Sequence, residues 1–209
     1  MQRAFIVVLL VFLFSYSFAQ DAKPDFDPHN WKSPYALSME GWQVERFAIP
    51  IEFAPGIPYK GIEDVRFTKG WADAKSDEYW SYAFLWFLDG KPVIKQADIE
   101  KNLSMYYDGL IGRNIERRKI PADLVKPSKV TVTKVATQAG DQATFSGKIH
   151  MLDYMAQKPI VFNCIVHIRI CDGQDKTFVF HQISPQPGTA PVWTALNKLW
   201  TDFRCEADQ

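Results

Sequence analysis

The apolar positions of this chain recur at every second residue over most of its length and switch to helical spacing only twice. In "VERFAIPIEF", Phe47, Ile49, Ile51 and Phe53 alternate with other residues, the pattern of a strand with one buried face, and Pro50 moves that strand to a sheet edge or a bulge. "IEDVRFTKGW" predicts a second short strand and "DEYWSYAFLWFLDG" a third. From Tyr79 to Leu88 the third is apolar or aromatic on both faces, as expected of a central strand covered on both sides. After the Asp89-Gly90 turn, Ile99, Leu103, Tyr106 and Leu110 fall at spacings of four, three and four, a helical stripe ending at Gly112. Residues 113–128, "RNIERRKIPADLVKPS", read as a long polar connection.

In the second half, Val130, Val132 and Ala136 share one side of a strand, and Phe145, Ile149 and Met151 one face of the next. After "YMAQKP", Phe162, Cys164, Val166, Ile168 and Ile170 line one face of another, while Asn163, His167 and Arg169 lie opposite. If the two apolar faces coincide, opposed residues have opposite parity, and the connection then sets His150 against Asn163. Across the "DGQDK" turn, Phe178 and Phe180 join the apolar face only if opposed residues share parity. That preferred register sets His167 against His181; the alternative, with Val179 and Ile183 inward, breaks the pairing. In "TAPVWTALNKLWTDF", Thr189 suits an N-cap and Pro191 a first turn. Val192, Trp193, Leu196, Leu199, Trp200 and Phe203 fall within about 120° of arc, an amphipathic helix that must lie on the sheet. The expected class is α+β: a mostly antiparallel sheet of six to seven strands against two main helices, one mid-chain and one C-terminal.

The N-terminal "MQRAFIVVLLVFLFSYSFAQ" has one positive charge at Arg3, an apolar run from Ala4 to Phe14, and small residues at Ser17 and Ala19. This predicts a secretory signal peptide over residues 1–19 cleaved after Ala19, with no stable membrane insertion afterwards and a periplasmic or extracellular destination. Residues 20–40 read as an irregular lead, and 41–209 as a single domain. Cleavage removes Arg3 and no acid, leaving 23 basic against 24 acidic residues, so no basic surface favours nucleic acid.

Two of the three cysteines, Cys164 and Cys171, are seven residues apart and point to opposite faces of one strand, so they share neither a bond nor a metal. Cys164 reads as a buried small hydrophobe. A C-terminal helix of ~15 residues covers roughly 22 Å, about the length of the strand leading to Cys171, so Cys171 and Cys205 are expected to form a disulfide. His167 and His181, with His150 one strand away, are candidate ligand-binding residues on a polar sheet face; no carboxylate is fixed beside them, and no metal or cofactor is assigned. Trp31, Trp42 and Trp71 fall in loops or at strand ends, and Trp71 is retained as a candidate contact, whereas Trp80, Trp86, Trp193 and Trp200 read as core. There is no GxSxG, HExxH or phosphate-cradling glycine loop.

This element order, with a terminal segment "VWTALNKLWTDFRC", resembles the PsbP/Mog1-like α/β/α sandwich proteins, and the "SPQP…W…L…FRC" ending is similar to that of a group of exported bacterial proteins. The resemblance implies an accessory or binding role. The favoured function is therefore an exported, non-catalytic domain binding an unknown protein or small-molecule ligand, through the polar sheet face or the loops around Pro55–Gly61 and Trp71. The rival is a small metal-dependent or hydrolytic enzyme centred on His150, His167 and His181.

Overall fold

Strand β3 (Tyr82–Asp89), apolar on both faces in sequence, is an interior strand of a seven-stranded sheet and is buried as far as Leu88. A computed structural model describes residues 26–206; the leader assigned to residues 1–19 and its cleavage site lie outside them. In chain order the other elements are β1 (Gln43–Ile49), β2 (Gly61–Phe67), α1 (Gln96–Gly112), α2 (Ile115–Arg118), β4 (Lys129–Lys134), β5 (Ala143–Asp153), β6 (Lys158–Ile170), β7 (Lys176–Ser184) and α3 (Pro191–Thr201). The strands pair antiparallel throughout in the order β1-β2-β3-β7-β6-β5-β4. Pro50 follows β1 directly, consistent with its edge position. The connection over residues 113–128 carries α2 and a 3₁₀ turn at Ala122–Leu124, structure that its lack of an apolar stripe concealed.

Alternation in β3 feeds two cores. Tyr82, Phe84, Trp86 and Leu88 face the layer that holds α1, while Ala83, Leu85 and Phe87 face α3. Each large side chain so buried contributes roughly 1.5–3 kcal/mol of hydrophobic stabilisation before entropy is counted. α3 begins with Pro191 at its first turn; Ala190, not Thr189, is the N-cap and contributes no side-chain bond. The fixed φ of Pro191 pre-organises that turn without one. An eleven-residue α3 spans only about 16 Å and leaves part of the second face bare. The lead, expected to be a tether or a surface-wrapping segment, wraps this face: Tyr35 is 1% exposed and packs edge-on against Phe87 and Phe178.

Two registers differ from expectation. Between β5 and β6 the parity is as anticipated, but the strands are displaced by two residues, so His150 faces Val161 and Lys148 faces Asn163. The turn is tighter than "YMAQKP": Asp153 Oδ1 accepts from the N–H groups of Met155 and Ala156, which lets Asp153 pair with Lys158. Between β6 and β7, Val166 faces His181 and His167 faces Phe180, so the two histidines lie on opposite faces. β7 is buried on both sides, and Phe178 and Phe180 find their cover under α3 instead of α1.

Cys171 and Cys205 form a disulfide with Cα atoms 5.8 Å apart, across a sequence separation of 34. Closing a loop of that length limits the unfolded chain by about 3–4 kcal/mol in the chain-entropy account. α3 ends at Thr201, and the tail turns back through paired backbone hydrogen bonds between Ala36 and Arg204 to reach Cys171. Among the described residues no helix is long and apolar enough to cross a membrane.

Candidate functional site

The histidines do not form one centre. His150 is exposed on β5 beside a shallow depression edged by Lys126, Pro127 and Pro159. His167 is buried under α3, with Nδ1 2.7 Å from Asp141 Oδ2 and Nε2 3.3 Å from Gln182 Oε1. Asp141 also accepts from Arg169 and from the Trp200 indole, so this cluster ties α3 to the β4–β5 turn. Burial acts to raise the Asp141 pKa, but the bonds from His167, Thr144 and Arg169 outweigh it and hold the carboxyl below its ordinary value. His181 lies in the other core, stacked on Phe84 at 4.1 Å, with Nδ1 3.3 Å from the Phe84 carbonyl oxygen. The polar sheet face expected to carry these side chains is thus not solvated: His167 and His181 are 0% and 1% exposed. Among the described residues no three His, Cys, Asp or Glu side chains converge as metal ligands. Cys164 is a buried free thiol whose pKa burial pushes up to about 12, so it is not a nucleophile at neutral pH.

A cavity of about 350 Å³ opens elsewhere, over the β1–β3 part of the sheet that α1 leaves uncovered. α1 leans over β4 and β5, and its C-terminal end forms one wall through Tyr106 and Leu110. Gly109 allows this end to press against the loop after β1: a Cβ there would stand 1.9 Å from the Phe53 carbonyl oxygen. The floor is Phe47, Val65, Phe67 and Tyr82, alternate residues of β1, β2 and β3. Trp71, Trp80 and Tyr154 close the remaining side, from the β2–β3 connection and the β5–β6 turn.

The β2–β3 connection is a held loop. Thr68 Oγ1 donates to the Ser81 carbonyl at 2.9 Å, Gly70 N–H to Glu78 Oε2 at 2.8 Å, and Trp80 N–H to the Trp71 carbonyl at 2.8 Å. Trp71 therefore presents a fixed ring, stacked on Phe67 at 4.4 Å and edge-on to Trp80. Trp80 sits at φ 55°, a left-handed conformation that costs a bulky residue on the order of 1–3 kcal/mol. Burial of its indole against Tyr154 and Phe162 offsets that cost.

At the mouth stand Glu45, Arg113 and Arg117, all exposed, with Asn114 behind them. Arg117 Nη2 donates to Asn114 Oδ1 at 2.7 Å, and the Arg113 guanidinium lies over the Phe53 ring at 5.2 Å. At the inner end Tyr106 donates to the buried Glu63 Oε1 at 2.6 Å, leaving Glu63 Oε2 without a partner. Burial pushes the Glu63 pKa up to about 8; the Tyr106 hydroxyl and the Trp86 indole favour the anion but do not offset it. The indole is near without meeting hydrogen-bond geometry, since its N–H is also unpartnered.

No protein family, curated protein or solved structure matches this chain. The site is therefore read from its own geometry. Trp71, singled out in sequence, is the one predicted ligand contact that lines the cavity; His167 and His181 are buried away from solvent, and His150 lies at the separate depression. Sequence reasoning missed Arg113 and Arg117, whose signal was a basic cluster directly after a helix end, and Phe53, which follows the edge strand.

Glu63 offers a direct check on this environment. Its folded pKa is raised above the usual carboxyl value, so its stabilising contribution is complete below about pH 4.5 and is lost as pH rises toward 8. Glu63→Gln keeps an acceptor for Tyr106 and cannot ionise. Urea unfolding should find it more stable than wild type by about 1–3 kcal/mol at pH 9, with the gap closing at pH 5. A constant gap across that range would show that Glu63 does not titrate in this way.

Proposed function

We propose that the protein is an exported, non-catalytic binding domain whose ligand occupies the cavity between β1–β3 and the C-terminal end of α1. The observation that carries this reading is the cavity itself: about 350 Å³, lined mostly by aromatic rings, within the size range of small-molecule sites. Export is supported by the leader pattern of residues 1–19 and by the Cys171–Cys205 disulfide, which suits an oxidising compartment. The resemblance to PsbP/Mog1-like proteins agrees with an accessory role, and the separation of His150, His167 and His181 removes the arrangement that the enzymatic reading needed.

The test uses phenylnaphthylamine, a neutral apolar fluorophore, as probe. Wild type is expected to bind it saturably. Trp71→Ala, which removes the stacking platform, should weaken binding roughly tenfold, and Leu110→Trp, which fills the cavity, should abolish it while circular dichroism stays unchanged. Equal binding by Leu110→Trp and wild type, or none by wild type, would refute the assignment.

A further inference from the structure

We propose that the ligand is a small organic anion with a flat apolar body, its anionic group held by Arg113 and Arg117 at the mouth and its body against the Phe67–Trp71 stack. This deepens, and rests on, the binding role assigned to the cavity. Neither arginine has an acidic partner within ion-pair distance among the described residues. Both guanidiniums are nonetheless positioned, Arg117 by Asn114 and Arg113 by the Phe53 ring, so less side-chain freedom is lost when they take a ligand.

The charge balance decides the sign. Two arginines face one carboxylate, Glu45, and the end of α1 behind Arg113 adds about half a negative charge. The mouth therefore remains positive, and Arg118, over the Tyr154 ring, reinforces it. Behind the cavity wall, burial raises the pKa of Glu63 beneath Tyr106, which favours its neutral form and lessens its opposition to an anion.

The interior selects an apolar body over a polyol. Of the three lining tyrosines, Tyr106 has its hydroxyl committed to Glu63, and Tyr82 has its own committed to Tyr107 at 2.7 Å. A sugar would have to bury most of its hydroxyl groups against rings, with the Tyr154 hydroxyl and the buried Trp80 indole N–H among the lining-ring polar groups not already committed, which is costly. An aromatic or similarly flat body gains from the Trp71 ring instead.

The experiment compares anilinonaphthalene sulfonate with neutral phenylnaphthylamine, which share the aromatic body and differ in the anionic group. Wild type should bind the sulfonate more tightly at low ionic strength, and added salt should erase most of the difference. The double variant Arg113→Gln/Arg117→Gln should lower the affinity for the sulfonate relative to that for phenylnaphthylamine at least about fivefold, the sum of two rim charges. If the double variant leaves this relative affinity unchanged while both probes still respond to Trp71→Ala, the anionic ligand class is wrong and the binding cavity stands. If neither probe binds wild type, both fall.

Discussion

Replacing Arg66 by Met is expected to destabilise the protein by about 3 kcal/mol at pH 8 and by clearly less at pH 4. Asp64 and Arg66 are alternate residues of β2 and share the face opposite the cavity, where both are almost fully buried. Arg66 grips Asp64 with both terminal nitrogens and donates through Nη2 and Nε to the Leu37 carbonyl at 2.9 and 3.2 Å; Tyr35 donates to Asp64 at 3.0 Å. Burial outweighs the attraction, holding the Asp64 carboxyl above its ordinary pKa and the Arg66 guanidinium below its own. Such a pair adds little net stability, yet removing one partner strands the other in a dry site. In Arg66→Met, Asp64 retains only Arg46 at 3.4 Å and Tyr35, and relieves the charge by taking a proton. Asp64 then has a raised folded pKa, so the stability loss grows as pH climbs above the unfolded carboxyl value, which sets the sign of the pH dependence. Urea unfolding of wild type and variant at the two pH values checks it, and an equal loss at both would show that Asp64 stays charged without its partner. Because Glu63, Val65 and Phe67 project from the same strand toward the cavity, the variant should also loosen phenylnaphthylamine binding.

Burial on both faces accounts for the register on which sequence and structure part company between β6 and β7. Period-two alternation located most of the seven strands, whereas β3 was read from being apolar on both faces and β2 from a short run between turns. Alternation could not choose the β6–β7 register, since Val179 and Ile183 on one side and Phe178 and Phe180 on the other all find apolar cover. The Cys171–Cys205 pairing was legible, but not its route: α3 is eleven residues instead of the ~15 that the helix-rise argument used, and the tail covers the remainder by pairing Arg204 with Ala36. The lead left two readings open, tether or surface wrap, because Tyr35 and Leu37 fill a gap left by a short helix and follow no period of their own. The cavity was the least legible part: its walls come from β1, the following loop, the β2–β3 connection, the end of α1 and the β5–β6 turn, and no local spacing joins them.

Acidification should unfold the protein largely through His181. Its ring is enclosed by Phe84 at 4.1 Å and Trp86 at 4.7 Å, with the Phe84 carbonyl as its hydrogen-bond acceptor. Burial lowers its pKa to about 3; the Phe84 carbonyl favours the charged form but only in part, and the charge of His167 across the sheet disfavours it. In the unfolded chain the same group titrates near 6.5, so its contribution to stability is complete above that pH and is lost as pH falls toward 3. The limiting slope is about 1.4 kcal/mol per pH unit, which gives roughly 3 kcal/mol between pH 7 and pH 4. His181→Phe retains an aromatic ring on Phe84 and removes the titration. Carboxylates such as Asp141, whose lowered pKa also costs stability at low pH, are common to both proteins and cancel in the comparison. The difference in unfolding free energy between His181→Phe and wild type should therefore swing by about 3 kcal/mol in favour of the variant from pH 7 to pH 4, and parallel profiles would mean that the folded protein accommodates the imidazolium. Phe84 also stacks on Tyr106 at 5.1 Å, and Tyr106 lines the cavity, so a charge on His181 would disturb the binding wall before the sheet gives way. Phenylnaphthylamine release from wild type should then precede the loss of far-ultraviolet ellipticity on acid titration, and His181→Phe should keep the probe to lower pH.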